Sequence, residues 1–226
     1  MDIHLHYREK GTGYPLILLH GNGEDGSYFI HQMQYFSRAY RVIAVDTRGH
    51  GQSPRGSEPL TLKQFAKDLR EFMDEMHIDR AHILGFSDGA NIAMLFALKY
   101  PERVSRLILN GGNLNPSGVK LWFQLPTEIS FWITSNLAYK SFRAKCKAEI
   151  LGLMVKEPRI SPESLQRLTM KTLVIAGRAD MIKEDHTRLI YENLPDGKLE
   201  LIPGDHFIAK KNASAFNRAV AQFLSN

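Results

Sequence analysis

The sequence predicts an α/β protein: a doubly wound, mostly parallel sheet of about seven strands, with a helical segment inserted late in the chain. Three observations carry this. Short apolar, β-branched runs alternate with longer stretches of helical period. Most of the runs are apolar nearly throughout, as strands covered on both faces of a parallel sheet must be. One stretch, 111–170, breaks the alternation and contains no strand pattern.

In chain order, Ile3, Leu5 and Tyr7 alternate with His4, His6 and Arg8. That period of two marks a half-exposed edge strand over 3–7, expected to run antiparallel to its neighbour. It is the single strand that fits before Leu16, so the sheet is expected to be truncated at its N-terminal end. Buried strands follow at 16–19, 41–45, 82–86, 104–110, 172–176 and 198–202. Thr61-Leu62-Lys63-Gln64 is a capping-box pattern that opens a helix through about Met76. Its stripe of Leu62, Phe65, Ala66, Leu69, Phe72, Met73 and Met76 suits packing on a sheet. Further helices are expected over 88–100, stopped by Pro101, and over 183–194 and 212–224. Repeated strand–helix–strand order implies right-handed crossovers. Residues 1–111 and 171–226 thus form the core domain. The remainder, 112–170, carries Trp122, Phe123, Phe131, Trp132, Tyr139 and Phe142. So long a loop without structure is improbable inside a compact domain, and a helical lid that covers a site is the expectation.

Composition narrows the class. A chain of 226 residues with 43% hydrophobic and 23% charged residues is that of an ordinary globular domain. The net charge of +5 is scattered, without a nucleic-acid motif, and is read as solvated surface charge. A lone cysteine, Cys146, excludes an internal disulfide framework. The first residues lack a signal-peptide pattern. The most apolar stretch, 121–139, is interrupted by Gln124, Pro126, Glu128 and Asn136, which argues against a membrane span. A cytoplasmic protein is expected.

The chemistry resides in Gly85-Phe86-Ser87-Asp88-Gly89, which follows an expected strand and opens an expected helix. A nucleophile on so sharp a turn needs small neighbours two residues away. A serine hydroxyl needs a base. His206, in Pro203-Gly204-Asp205-His206-Phe207 after the last strand, is the candidate. The acid that orients it belongs in a loop after a strand, between the serine and the histidine. Asp180 in Ala176-Gly177-Arg178-Ala179-Asp180 fits; Asp185 should lie inside the next helix, and Asp205 adjoins the base too closely. Two backbone N–H groups should receive the oxyanion: that of Asp88, at the helix N-terminus, and that of Asn22 in His20-Gly21-Asn22-Gly23. Trp122, Phe123, Phe131 and Trp132, with Asp88, are the candidate substrate contacts. His4 and His6 share a strand face without a third ligand, so no metal and no organic cofactor is expected.

These residues, with Asp46-Thr47-Arg48-Gly49-His50-Gly51-Gln52-Ser53 between them, resemble the α/β-hydrolase superfamily over nearly the whole chain. The resemblance implies a lid after the sixth strand and a scaffold role for Asp46, Arg48 and His50. A small carboxylic ester is the expected substrate, since an alkoxide leaves more readily than an amine, and the aromatic segment favours one with an apolar part. The Ser-Asp-Gly elbow is similar to that of valacyclovirase-like amino-acid ester hydrolases. Asp88 is therefore either a helix-end carboxylate or a group that favours amine-bearing substrates. Carbon–carbon, lactone, peracid or N-terminal peptide chemistry would use the same triad, and a non-catalytic receptor would keep the fold. Ser87 in place of aspartate disfavours a dehalogenase or epoxide hydrolase.

Overall fold

The computed structural model describes residues 2–225. Its strands are β1 (Tyr7–Lys10), β2 (Tyr14–Leu19), β3 (Tyr40–Val45), β4 (Ala81–Phe86), β5 (Val104–Asn110), β6 (Thr172–Gly177) and β7 (Gly197–Ile202). Its helices are α1 (Ile30–Phe36), α2 (Leu62–Glu75), α3 (Asp88–Lys99), α4 (Leu121–Leu137), α5 (Phe142–Lys156), α6 (Glu184–Glu192), α7 (Ile208–Lys211) and α8 (Ala213–Ser225). One seven-stranded sheet runs β1-β3-β2-β4-β5-β6-β7. Every pairing is parallel except β1 with β3, where Tyr7 lies opposite Val45 and Lys10 opposite Val42.

The inner strands β2 to β6 are largely apolar on both faces because both faces are covered, whereas the edge strands β1 and β7 carry Arg8, Glu9, Lys198 and Glu200. On one side Leu16, Leu18, Val42, Ala44, Leu84 and Phe86 meet α1, α8 and the turn before α1 through Met33, Phe36, Phe216, Val220 and Phe29. On the other, Ile17, Leu19, Ile43, Val45 and Ile83 meet α2 and α3 through Phe65, Leu69, Phe72, Ala93 and Phe96. Thr61 caps α2, accepting from Gln64 N–H at 3.0 Å; the Gln64 side chain reaches Asp68 instead of closing the box.

The edge strand departs from the sequence expectation. It is one strand ahead of Leu16, but it covers Tyr7–Lys10, not 3–7. Ile3 and Leu5 alternate because their side chains are buried in the core, although the chain there lies outside the ladder. The segment from 112 onward divides in two. Helices α4 and α5 form a hairpin, while Ile160, Leu165, Leu168 and Met170 pack into the main core. Among the described residues no helix is long and apolar enough to cross a membrane.

The loop after β3 is scaffold by its bonds. Asp46 accepts from the N–H groups of Gly26 (2.7 Å) and Gln52 (3.0 Å) and from His6 Nδ1 (2.8 Å). Arg48 is fully buried and donates to both Asp68 oxygens at 2.7 Å and to Asp2 at 2.6 and 3.0 Å.

Candidate active site

Strand β4 turns into α3 through one residue, Ser87, whose backbone sits at φ 54°, ψ −121°. A non-glycine residue in that region costs about 1–3 kcal/mol and persists only where its surroundings hold it. They do: Ser87 N–H donates to Asn110 O at 2.8 Å, and Ser87 O accepts from the N–H groups of Ala90 and Asn91. The flanking glycines are sterically required. A Cβ on Gly85 would come within 2.2 Å of Gly89 O, and one on Gly89 within 2.0 Å of Leu19 O.

The loops after β6 and β7 bring Asp180 and His206 to this turn. Ser87 Oγ lies 3.0 Å from His206 Nε2, and His206 Nδ1 lies 2.7 Å from Asp180 Oδ1. A carboxylate can only accept, so Nδ1 carries the proton and Nε2 is left free to accept from the serine hydroxyl. Asp180 Oδ1 also accepts from Ile182 N–H at 2.9 Å; its Oδ2 is buried without a donor among the described residues. The other carboxylates lie elsewhere. Asp205 turns away to Phe207 N–H and Lys211, and Asp185 sits in the first turn of α6. His20 is buried among structural bonds. Its Nδ1–H donates to Gly21 O at 2.7 Å, its Nε2 accepts from Thr47 N–H at 3.0 Å, and desolvation lowers its pKa to about 4.

Asp88 opens α3, where the first N–H groups have no intrahelical partner. Asn22 lies across from it. The Asn22 side chain donates to Asp88 Oδ2 at 3.0 Å and to Ile150 O of α5 at 3.0 Å, and Asn91 donates to Asp88 Oδ1 at 3.2 Å. The Asp88 carboxylate thus ties the loop after β2 to the start of α3. Burial pushes its pKa up, opposed by these two amide donors.

The cleft beside Ser87 is lined by Asp88, Asn113, Val119, Phe123, Gln124, Met154, Glu157, Met181 and Ile182. Its open space is about 30 Å³, far below the 300–1,000 Å³ of a ligand pocket, and Phe123 and Gln124 of α4 and Met154 of α5 are among the side chains that wall it. The hairpin is hooked to the Asp180 loop at its root: Lys120 N–H donates to Met181 O at 2.9 Å, Lys120 Nζ donates to Asp180 O, and Val119 bridges Ile182. Of the four aromatic candidates, Phe123 reaches the cleft. Phe131 instead lines a larger groove of about 620 Å³ between the hairpin and the 55–61 loop. Trp122 and Trp132 are not brought to the site at all; they are 79% and 69% exposed. They correct the sequence expectation, because the inward face of α4 is occupied by Gln124 and Thr134.

Two features near Ser87 and His206 escaped the sequence reading. Gly111, at φ 61°, passes directly beneath the imidazole: a Cβ there would lie 2.8 Å from His206 Cε1. The Asn-Gly-Gly-Asn run that ends β5 was the available signal. Glu157 lines the cleft, its pKa raised by burial, while it accepts from Leu62 N–H at 2.9 Å; nothing in its local sequence marks it. Among the described residues there is no cluster of three or more His, Cys, Asp or Glu able to hold a metal.

A family model described as the alpha/beta hydrolase fold matches residues 14–150. The 2-hydroxy-6-oxononadienedioate/2-hydroxy-6-oxononatrienedioate hydrolase of Comamonas testosteroni is 30% identical, over 100% of this chain and 92% of that one. The 2-hydroxy-6-oxo-6-phenylhexa-2,4-dienoate hydrolase of Burkholderia cepacia is 29% identical over the same shares. Among solved structures, the enol-lactonase from Burkholderia xenovorans LB400 superposes with a TM-score of 0.83 at 20% identity, over 99% of this chain and 97% of that one. At that identity the likeness is one of fold.

Proposed function

Since this chain belongs to the α/β-hydrolase fold family and is a hydrolase, we propose that Ser87, His206 and Asp180 are its catalytic triad and that it cleaves a small, partly apolar carboxylic ester. The observation that carries the reading is the chain of contacts from Ser87 Oγ to His206 Nε2 at 3.0 Å and from Nδ1 to Asp180 Oδ1 at 2.7 Å. Ser87 Oγ attacks the acyl carbon as its proton passes to Nε2. The N–H groups of Asn22 and Asp88 receive the oxyanion; as backbone donors they need not reorganise when charge develops. The proton on Nε2 then goes to the departing alkoxide. Water, deprotonated by the same nitrogen, releases the acid from Ser87. Asp180 holds the Nδ1–H tautomer and balances the imidazolium of both transition states.

The electrostatics of the cleft narrow the substrate. Two carboxylates, Asp88 and Glu157, line it, and no lysine, arginine or histidine is among the lining residues. In their ionised forms the two carboxylates would repel a carboxylate-bearing substrate in a site of low dielectric and would not repel a neutral or amine-bearing ester. The second reading is carbon–carbon bond hydrolysis, favoured by the 30%-identical relative that spans the whole chain and is named for a dienedioate.

The test is steady-state kinetics on p-nitrophenyl butyrate, an amino-acid benzyl ester, a γ-lactone and 2-hydroxy-6-oxo-6-phenylhexa-2,4-dienoate, with Ser87→Ala in parallel. Ester turnover that vanishes in Ser87→Ala, together with loss of fluorophosphonate labelling, is expected. Turnover that survives in Ser87→Ala would overturn the triad. A kcat/KM for the dienoate above that for every ester would replace ester cleavage with the second reading.

A further inference from the structure

Helix α4 is built inside out. Its polar residues Gln124 and Thr134 are buried, and Thr127 and Ser130 are half-buried. Its outward stripe is Leu121, Trp122, Leu125, Ile129, Trp132 and Ile133, all exposed, with the two tryptophans among the most exposed side chains of the chain. These positions recur at helical spacing, so they form one continuous face. A contiguous apolar patch of this kind on a folded surface marks an interaction site.

The charges around the face select its occupant. Past the end of α4, the turn into α5 presents exposed Tyr139 and Phe142 beside exposed Lys140, Arg143, Lys145 and Lys147. From 129 to 148 there is no aspartate or glutamate. The acid within α4, Glu128, accepts from Gln124. Lys140 Nζ lies 5.2 Å from the centroid of the Tyr139 ring, which keeps the ammonium at the aromatic margin. A second copy of the chain would set two such cation clusters and two acid-poor helices against each other about a two-fold axis. An anionic lipid surface satisfies both parts at once. The Leu, Ile and Trp face enters the headgroup–acyl boundary, the aromatic rings sit at that boundary, and the cations meet the headgroup phosphates.

We propose that the outward face of α4, with the cationic turn into α5, docks this hydrolase onto an anionic lipid bilayer, lying in the interface without spanning it. The inference rests on that face alone and is independent of the triad.

The test uses the full chain and large unilamellar vesicles of phosphatidylcholine, with or without about a third of phosphatidylglycerol. Co-sedimentation should show at least about tenfold stronger partitioning onto the anionic vesicles, weakened at about 0.5 M salt as screening shortens. The chain has two tryptophans, Trp122 and Trp132, both on this face, so their emission should shift to the blue on binding. Leu125→Glu with Ile129→Glu should lower partitioning about tenfold or more while leaving the thermal transition and the hydrolysis of a soluble ester unchanged. Lys140→Glu with Arg143→Glu should erase the preference for the anionic lipid. Folded wild-type protein that partitions onto neither vesicle, or equally onto both, overturns the proposal. So does a dimer in sedimentation equilibrium that Ile129→Glu dissociates, since the face then belongs to a second copy.

Discussion

Gly111→Ala probes how tightly the backbone fits beneath the imidazole. The new Cβ would lie 2.8 Å from His206 Cε1 and 2.9 Å from Nδ1, with Asp180 Oδ2 at 3.4 Å. Ordinary carbon contacts begin near 3.4 Å, so the ring or the strand end must give by roughly 0.6 Å. The strand end is poorly placed to retreat: Gly111 N–H donates to Ile175 O at 3.2 Å, and Ser87 N–H is held by the neighbouring Asn110 O at 2.8 Å. The ring moves, and it cannot then keep both the 3.0 Å contact to Ser87 and the 2.7 Å contact to Asp180. Misplacement by about 1 Å can cost about 10²-fold, so kcat/KM for a p-nitrophenyl ester should fall by roughly 10- to 100-fold. The left-handed backbone of Gly111 adds a stability cost of about 1–2 kcal/mol in the alanine variant, or roughly 2–8 °C in Tm for a chain of this size. Gly49→Ala separates the two effects. Its φ of 72° carries a similar backbone cost, but the nearest atom to its Cβ, on Leu60, is 3.6 Å away. Calorimetry and kinetics on both variants are the assay. Equal loss of Tm with kcat/KM within about twofold of wild type in Gly111→Ala would refute the reasoning.

Asp68→Ala leaves the buried Arg48 with one partly exposed carboxylate partner, Asp2; urea denaturation should show a loss of about 3–5 kcal/mol, and a loss under about 1 kcal/mol would contradict a stabilising scaffold. Acid should destabilise the fold below neutrality, because desolvation lowers the pKa of both His20 and His82 to about 4 from an unfolded value of 6.5. Their contribution is complete above 6.5 and is lost as pH falls toward 4. Near pH 5 each takes up most of a proton on unfolding, together a slope of roughly 2 kcal/mol per pH unit, and His82→Phe should remove its half of that contribution from stability–pH curves. Asp88→Asn discriminates selection from bracing: a KM rise confined to aminoacyl esters marks an ammonium partner, whereas equal losses on neutral esters mark the tie to Asn22.

The buried strands were legible because a parallel strand covered on both sides has no polar alternation to obscure it. Leu16 to Leu19 send successive side chains to opposite clusters and are apolar at every step. Ser87, His206 and Asp180 were legible as candidates because each lies on the turn or loop that follows the C-terminal end of a strand, within four residues of it. The edge strand was not. Ile3 and Leu5 alternate like a strand but contribute packing alone, while the ladder forms over Tyr7–Lys10 and adds the Glu9–Arg41 ion pair across β1 and β3 at 2.9 Å. Helix α1 was invisible for a different reason: at seven residues it is too short for a period to declare itself.

The four aromatics Trp122, Phe123, Phe131 and Trp132 of α4 show where periodicity stops informing. Trp122 and Phe123 are adjacent in sequence, about a quarter-turn apart on α4. One is 79% exposed, and the other lines the cleft beside Ser87. An apolar stripe identifies a face that needs a partner, but it carries no information on whether that partner lies within the chain. Reading all four as candidate substrate contacts put Trp122 and Trp132 in one group with Phe123 and Phe131. What decides otherwise is the pattern of small polar residues on the opposite side. Gln124 and Thr134 are buried, and a helix that buries its glutamine and threonine has committed its inward face already. The tryptophans are then left for whatever lies outside the molecule, and the run of cations from Lys140 to Lys147 bears on what that is.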